Sequence, residues 1–303
     1  MVTAEGTPSP ATSATLAVAC VQLHWARTVD RNVEACVAHI RSAAADGCRV
    51  VLFPEANLTG YYFPYLTTLS RREVQGALDA ACAAAAQAGV WAIVGTIRNT
   101  KDRYLNLAHV IDPSGEIAYE YAKVMMAGRD EQRWCRGGDK LALFEIDWIP
   151  CTLVICRDGR HPELYRIPAM AGAKVLFHPS CSSDEIDAVC WKRTSGRAQL
   201  PAGPTTSIFH CVANTVGQDP EGKQTSSGAS FIRDPRGLPL AEAGWYQEER
   251  IAAVLDLSLA DRKYALDSLQ YPPFLRPFWQ QAVEEARARA ALPIDLGGDE
   301  RTQ

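Results

Sequence analysis

The stretch CTLVICRDGRHPELYR (151–166) decides how this chain is read. CTLVIC is an apolar run of strand length that closes on Cys156. Arg157-Asp158-Gly159 then turns the chain, and the helix-period segment from Pro162 to Ala171 follows, with proline in its first turn. A cysteine at such a strand-to-helix elbow faces helix N–H groups, which favour its thiolate.

Two other apolar runs end the same way. RVVLF (49–53) leads through Pro54 to Glu55, and IAYEYA (117–122) leads to Lys123. A carboxylate, an ammonium and a thiol therefore each stand at or just past the C-terminal end of a strand. In open α/β sheets that edge is where sites form. Lys123 beside Cys156 would favour the thiolate further, and Glu55 within hydrogen-bond reach would take the thiol proton and later activate water.

Further strand-like runs are LAVACVQL (16–23), VWAIVGTI (90–97), LAHVI (107–111), KVLFH (174–178), SIFHCVA (207–213), ASFI (229–232) and IAAVLDL (251–257). Helix-period segments lie between several of them. Residues 29–46 line up Val33, Cys36, Val37, Ile40 and Ala44 on one stripe; residues 71–88 form an Ala-rich helix that stops before Gly89. A last helix spans 278–291, its Arg/Glu-rich face solvated. Asp112-Pro113-Ser114-Gly115 and Asp234-Pro235-Arg236-Gly237 read as hairpin turns. Helix-linked strands mixed with hairpins argue for α/β layers with a mixed sheet.

Composition bounds the partners. Of 303 residues 47% are hydrophobic and 22% charged, as in globular proteins. Lys+Arg 31 against Asp+Glu 35 leaves a net charge of −4, which gives no general attraction for nucleic acid or anionic membrane. No apolar run approaches the ~18–20 residues of a membrane-spanning helix. Residues 1–14 are read as a flexible leader, 15–292 as a single domain with a C-terminal extension from 264, and 293–303 as a flexible tail. The start carries no secretion signal, so the cytoplasm is the expected location. The ten cysteines contain no Cys-x-x-Cys pair, and no His-Glu-x-x-His is present; neither a metal site nor a disulfide framework is expected.

Three blocks in order resemble the nitrilase superfamily of carbon–nitrogen hydrolases: LFPEANLTGYY around Glu55, YAKVMM around Lys123 and LVICRDGRHPELYR around Cys156. VANTVG and GASFIRDPRG are similar to the family's later strands, so the resemblance covers roughly residues 15–258. It implies a four-layer αββα sandwich and a Glu–Lys–Cys catalytic set. Cys156 would attack a carbonyl or nitrile carbon and form a thioester. Glu55 would act as general base and acid. Lys123, with the backbone N–H of Arg157, would hold the oxyanion. Glu131, in MMAGRDEQRWCRGGD, matches a second family glutamate better than its neighbour Asp130 and would orient Lys123 or position substrate. Neither metal nor cofactor is implied, the substrate is a small amide or N-carbamoyl compound, and subunits are expected to form a homodimer or higher homo-oligomer. The segment 264–292 is the candidate for crossing to a partner.

Each of these residues alone has a plainer reading: Glu55 a surface loop acid, Lys123 a solvated strand end, Cys156 a buried thiol. Their joint order overturns those readings. Arg157 and Asp158 follow the cysteine where true nitrilases carry Trp-Glu, which points to amides or N-carbamoyl compounds. Arg157 is also a departure from the family's commonest pattern: it would either pair bidentately with a substrate carboxylate or point away and pair with an acid of the fold. Tyr61 and His178 are the other substrate-contact candidates. Tyr61, Tyr62, Trp134 and Trp191 otherwise read as core or subunit-contact aromatics. Glu163 suits a helix N-terminus, Arg166 would pair with a carboxylate below the site, Asp158 would hold the elbow, and Asn214 would organise nearby backbone. His161 and His178 raise a papain-like Cys–His alternative, and TSSGAS (225–230) faintly resembles the amidase-signature enzymes, which need a Ser-Ser-Lys set not found here. A nitrilase, an acyl transferase and a non-catalytic binding member of the family stand as alternatives on the same fold.

Overall fold

The computed structural model describes residues 15–24, 28–194 and 202–294, with the side chains of 192–194 left aside. The expected leader, and the tail from 295, lie outside the described residues.

Strand Thr15–His24 shows how the layers arise. Its alternate residues Leu16, Val18 and Cys20 join one apolar cluster, while Ala19, Val21 and Leu23 join another. A strand whose side chains are apolar on both faces must be covered on both. Val50 and Leu52 against Val51 and Phe53 repeat the division, as do Val175 and Phe177 against Leu176 in a second sheet.

The first sheet runs in the order Thr215–Val216, Thr15–His24, Val50–Leu52, Trp91–Asn99, Tyr104–Ile111, Ile117–Ala122, and Glu249–Asp256 pairs antiparallel with Thr15–His24. The second runs Pro239–Glu242, Phe231–Arg233, Phe209–Ala213, Val175–Pro179, Ile149–Leu153, Phe144–Ile146. Both are mixed: Thr15–His24, Val50–Leu52 and Trp91–Asn99 are parallel, as are Ile149–Leu153, Val175–Pro179 and Phe209–Ala213. The sheets meet face to face through Val18, Leu52, Ile93, Leu153, Phe177 and Phe209.

Helices cover the outer faces. Val29–Ala45 and Arg71–Ala88 pack on the first sheet, the latter through the small side chains Ala77, Ala81, Ala84 and Ala85. Ser70 and Glu73 cap that helix reciprocally, and Gly89 ends it at φ +66°. In Val29–Ala45 the buried line is Asn32, Cys36, Ile40 and Ala43; Val33, Val37 and Ala44 flank it rather than define it. Asn32 belongs to that line because its amide donates to the Leu58 carbonyl (3.3 Å).

Glu163–Ala171 packs on the second sheet through Leu164, Tyr165 and Met170, and Lys263–Gln270 and Arg276–Ala290 pack on that helix, with Ala265 and Val283 in the same apolar cluster. The result is the expected αββα sandwich. The segment 264–292, considered for crossing to a partner, packs here on its own subunit. Lys140 donates to the Leu292 carbonyl (2.6 Å) and Arg287 to the Ala171 carbonyl (2.9 Å). Arg166 also differs from expectation: it donates to Ser268 Oγ (2.5 Å) and to the Tyr264 carbonyl (3.3 Å), not to a carboxylate. The following helix, which brings Ser268 there, had no motif to announce it.

Both predicted turns form. Asp112 Oδ1 accepts from the N–H groups of Ser114 and Glu116, and Asp234 Oδ1 from those of Arg236 and Leu238. Among the described residues no helix is long and apolar enough to cross a membrane.

Candidate active site

Glu55 follows the strand Val50–Leu52 in a loop tied to the neighbouring strand. Asn57 Oδ1 accepts from the Gly95 N–H (2.7 Å), and Thr59 Oγ1 accepts from the Ile97 N–H (2.9 Å). Ala56 takes a left-handed φ of +52°, and its backbone lies so close to Gly95 that a Cβ there would stand 2.4 Å from the Ala56 nitrogen. The loop therefore delivers Glu55 into the interior, where it is 3% exposed.

Lys123 ends the strand Ile117–Ala122 and is fully buried. Its Nζ donates to Glu55 Oε1 (2.7 Å) and to both oxygens of Glu131 (3.0 and 2.8 Å). Glu131 projects from the short helix Gly128–Trp134 and also accepts from the Ala127 N–H (2.5 Å). Asp130, its rival in the sequence, is exposed. Asn106 joins the two acids, its Nδ2 lying 2.7 Å from Glu55 Oε1 and 2.8 Å from Glu131 Oε1. The Cys181 N–H donates to Glu55 Oε2 (2.9 Å).

Cys156 begins the 3-10 turn Cys156–Arg160 after the strand Ile149–Leu153, at a left-handed φ of +46°. For a non-glycine residue that conformation is uncommon and marks a sharp elbow. Asp158 builds the elbow: its buried carboxylate accepts from the N–H groups of Met125 (2.7 Å), Ile155 (3.1 Å) and Val124 (3.2 Å) and from Tyr121 OH (2.9 Å). One side chain thus ties the Cys156 elbow to the segment just after Lys123. Asn214 organises backbone as expected, accepting from the Ser182 N–H (2.9 Å) and donating to the Gly228 carbonyl (2.6 Å).

Burial dominates the electrostatics. It raises the Glu55 carboxyl, with Lys123 opposing and Glu131 reinforcing the rise. It works against the Lys123 ammonium, but Glu55, Cys156 and Glu131 outweigh it and hold that group well above the ordinary lysine value. The Cys156 thiol, expected to be more acidic than usual, is instead pushed up to about 12 by burial and by Glu55, with Lys123 opposing too weakly to reverse it. The resting site accordingly holds a neutral thiol beside a charged lysine.

Cys156 opens into a cavity of about 1010 Å³. Tyr61, Glu131, Arg157 and His178 are among its lining residues. Tyr61 stacks its ring under the Lys123 ammonium, 5.6 Å from Nζ to centroid. Arg157 is half-buried at the cavity wall, and Trp191 is an exposed member of its rim. His178 lines the cavity while both its ring nitrogens meet the protein: Nε2 lies 2.9 Å from the Cys156 carbonyl and Nδ1 3.1 Å from His210 Nε2. Sequence reasoning missed Asn106, which sits mid-strand in LNLAH with no motif around it. A polar residue at an otherwise apolar strand position was the one available signal.

Fold and site place the chain in the nitrilase superfamily. More narrowly, it belongs to the carbon–nitrogen hydrolase family, whose model matches residues 17–263. It is 29% identical over 212 residues to 2-oxoglutaramate amidase of Bacillus subtilis, covering 69% of this chain and 78% of that one. It is 26% identical over 265 residues to N-carbamoylputrescine amidase of Solanum tuberosum, covering 79% and 86%. The fold is similar to that of a mutant amidase of the nitrilase superfamily from Nesterenkonia AN1, with a TM-score of 0.73 at 22% identity over 87% of this chain and 97% of that one.

Proposed function

We propose that this carbon–nitrogen hydrolase cleaves the C–N bond of a small amide or N-carbamoyl compound through a thioester on Cys156. The observation that carries the reading is Lys123 held between Glu55 and Glu131 at a cavity that Cys156 lines. A buried cation with one acid to anchor it and one acid free to exchange a proton suits acyl transfer from a thiol.

Glu55 takes the Cys156 proton as the sulfur attacks the carbonyl carbon. The oxyanion is held by Lys123 Nζ and the Arg157 N–H. Glu55 then gives its proton to the nitrogen as the C–N bond breaks, and ammonia or an amine leaves. Water enters, loses a proton to Glu55 and attacks the thioester; the C–S bond breaks, the acid departs and the proton returns to sulfur. A thiol raised to about 12 makes Glu55 necessary to the first step, since little thiolate exists beforehand.

Arg157 at the cavity wall supports substrates that carry a carboxylate beyond the scissile amide, and the relative named for 2-oxoglutaramate is consistent with that. We also place the protein in the cytoplasm as a homodimer or larger homo-oligomer. The free buried thiols Cys20, Cys36, Cys151 and Cys211 suit a reducing compartment, and the exposed Tyr271, Phe274 and Phe278 suit a subunit contact. Ammonia release from succinamate, butyramide and N-carbamoyl-β-alanine tests the activity. Release from at least one is expected; none from a folded protein across all three would contradict it.

A further inference from the structure

A chain of hydrogen bonds runs from the backbone of Ala202 through two buried histidines to the carbonyl of Cys156. The Ala202 N–H donates to His210 Nδ1 (3.1 Å), His210 Nε2 lies 3.1 Å from His178 Nδ1, and His178 Nε2 lies 2.9 Å from the Cys156 oxygen. The directions follow from the two ends. A backbone N–H can only donate, so His210 Nδ1 carries a lone pair and its proton is on Nε2. That proton points at His178 Nδ1, which must accept it. His178 therefore carries its own proton on Nε2 and donates it to the carbonyl. Protonating either ring would set two N–H groups against each other, and burial disfavours the charge in both. The ring planes lie 6° from parallel. Gly159 leaves room for the His178 ring, since a Cβ there would stand 2.4 Å from Cε1.

The carbonyl of Cys156 and the N–H of Arg157 share one peptide plane and point in opposite directions. A bond that fixes the first also aims the second. We propose that His178 and His210 are positioning residues that lock this peptide plane, and so hold the Arg157 N–H where the oxyanion forms. The proposal rests on the reading of Cys156 as nucleophile and the Arg157 N–H as oxyanion donor. It gives His178 a role through the backbone and not through substrate. It also accounts for a neutral histidine pair that the proton transfers do not use.

The test compares wild type with His178→Leu and His178→Gln on whichever amide of the panel above is hydrolysed fastest. Alkylation of Cys156 by iodoacetamide, which needs no oxyanion donor, is followed in parallel by peptide mass. His178→Leu is expected to lose up to about 1000-fold in kcat, the upper cost of removing one oxyanion donor, with KM within about threefold and Cys156 still alkylated. His178→Gln, which keeps an N–H donor, is expected to recover part of the loss. Wild-type kcat in the Leu variant would overturn the proposal. If alkylating Cys156 leaves wild-type turnover intact, the nucleophile reading fails and the proposal fails with it, a distinguishable result. Independently of variants, nitrogen-15 spectra of the intact wild-type protein should show both rings protonated at Nε2 alone between about pH 6 and 8. A proton on Nδ1 of His178 would overturn the assignment.

Discussion

Lys123 holds Glu131 by both carboxylate oxygens, at 3.0 and 2.8 Å, while only one oxygen of Glu55 meets the same ammonium. The two acids are therefore not equivalent. Glu131 anchors the cation, and Glu55 keeps an oxygen whose contact is the Cys181 N–H. Glu131→Gln preserves the shape but weakens the anchor, and kcat should fall by about 100-fold. Glu131→Ala also leaves the buried cation under-paired and should cost about 3–5 kcal/mol in urea unfolding. A Gln variant with wild-type kcat would remove Glu131 from the mechanism.

The acid limb of activity should follow Glu55. Its carboxyl is raised by burial, and the base must be ionised to work, so kcat/KM should fall as pH drops through a value above the ordinary 4.5. The Asn106 amide lowers that value by bonding the ionised form. Asn106→Ala should accordingly move the limb to higher pH. No thiol limb should appear near 9.0, because Cys156 stays protonated up to about 12. A limb that stays put in Asn106→Ala would contradict the assignment of Glu55.

Asp158 should matter more to stability than its motif position suggests. Asp158→Ala strips acceptors from the Met125 and Ile155 N–H groups, and the cost should be about 3 kcal/mol or more. Tyr121→Phe removes one donor to the same carboxylate and should cost about 1 kcal/mol. Equal losses for the two variants in urea unfolding would argue against the elbow resting on Asp158.

Arg157→Ala separates substrate recognition from chemistry. Succinamate and butyramide are nearly the same shape and differ in a carboxylate. A bidentate contact predicts that KM for succinamate rises about tenfold or more while butyramide changes little. Equal losses on both would mean that Arg157 does not contact the carboxylate.

Much of this was legible in the chain. The nearly unbroken apolar runs LAVACVQL, VVLF and KVLFH announce strands. Glu55, Lys123 and Cys156 were recognisable because each follows a run of strand length and the three stand in a telling order. What stayed hidden was relational. Asn106 has no spacing to mark it, since its partners are 51 and 25 residues away. The same holds for His210, which a strand of ordinary composition carries to His178. The thiol's acidity was misjudged because sequence reveals neighbouring charges more readily than the burial that outweighs them. Short strands such as Phe144–Ile146 and Thr215–Val216 carry too few residues for a period to show.

The most direct measurement is intact mass of the protein quenched with acid during turnover of succinamate or butyramide. The account predicts an acyl adduct, the mass of the amide less ammonia, on wild type and its absence in Cys156→Ala, which remains folded and does not turn over. An adduct that persists without the Cys156 sulfur, or undiminished turnover in that variant, would contradict it.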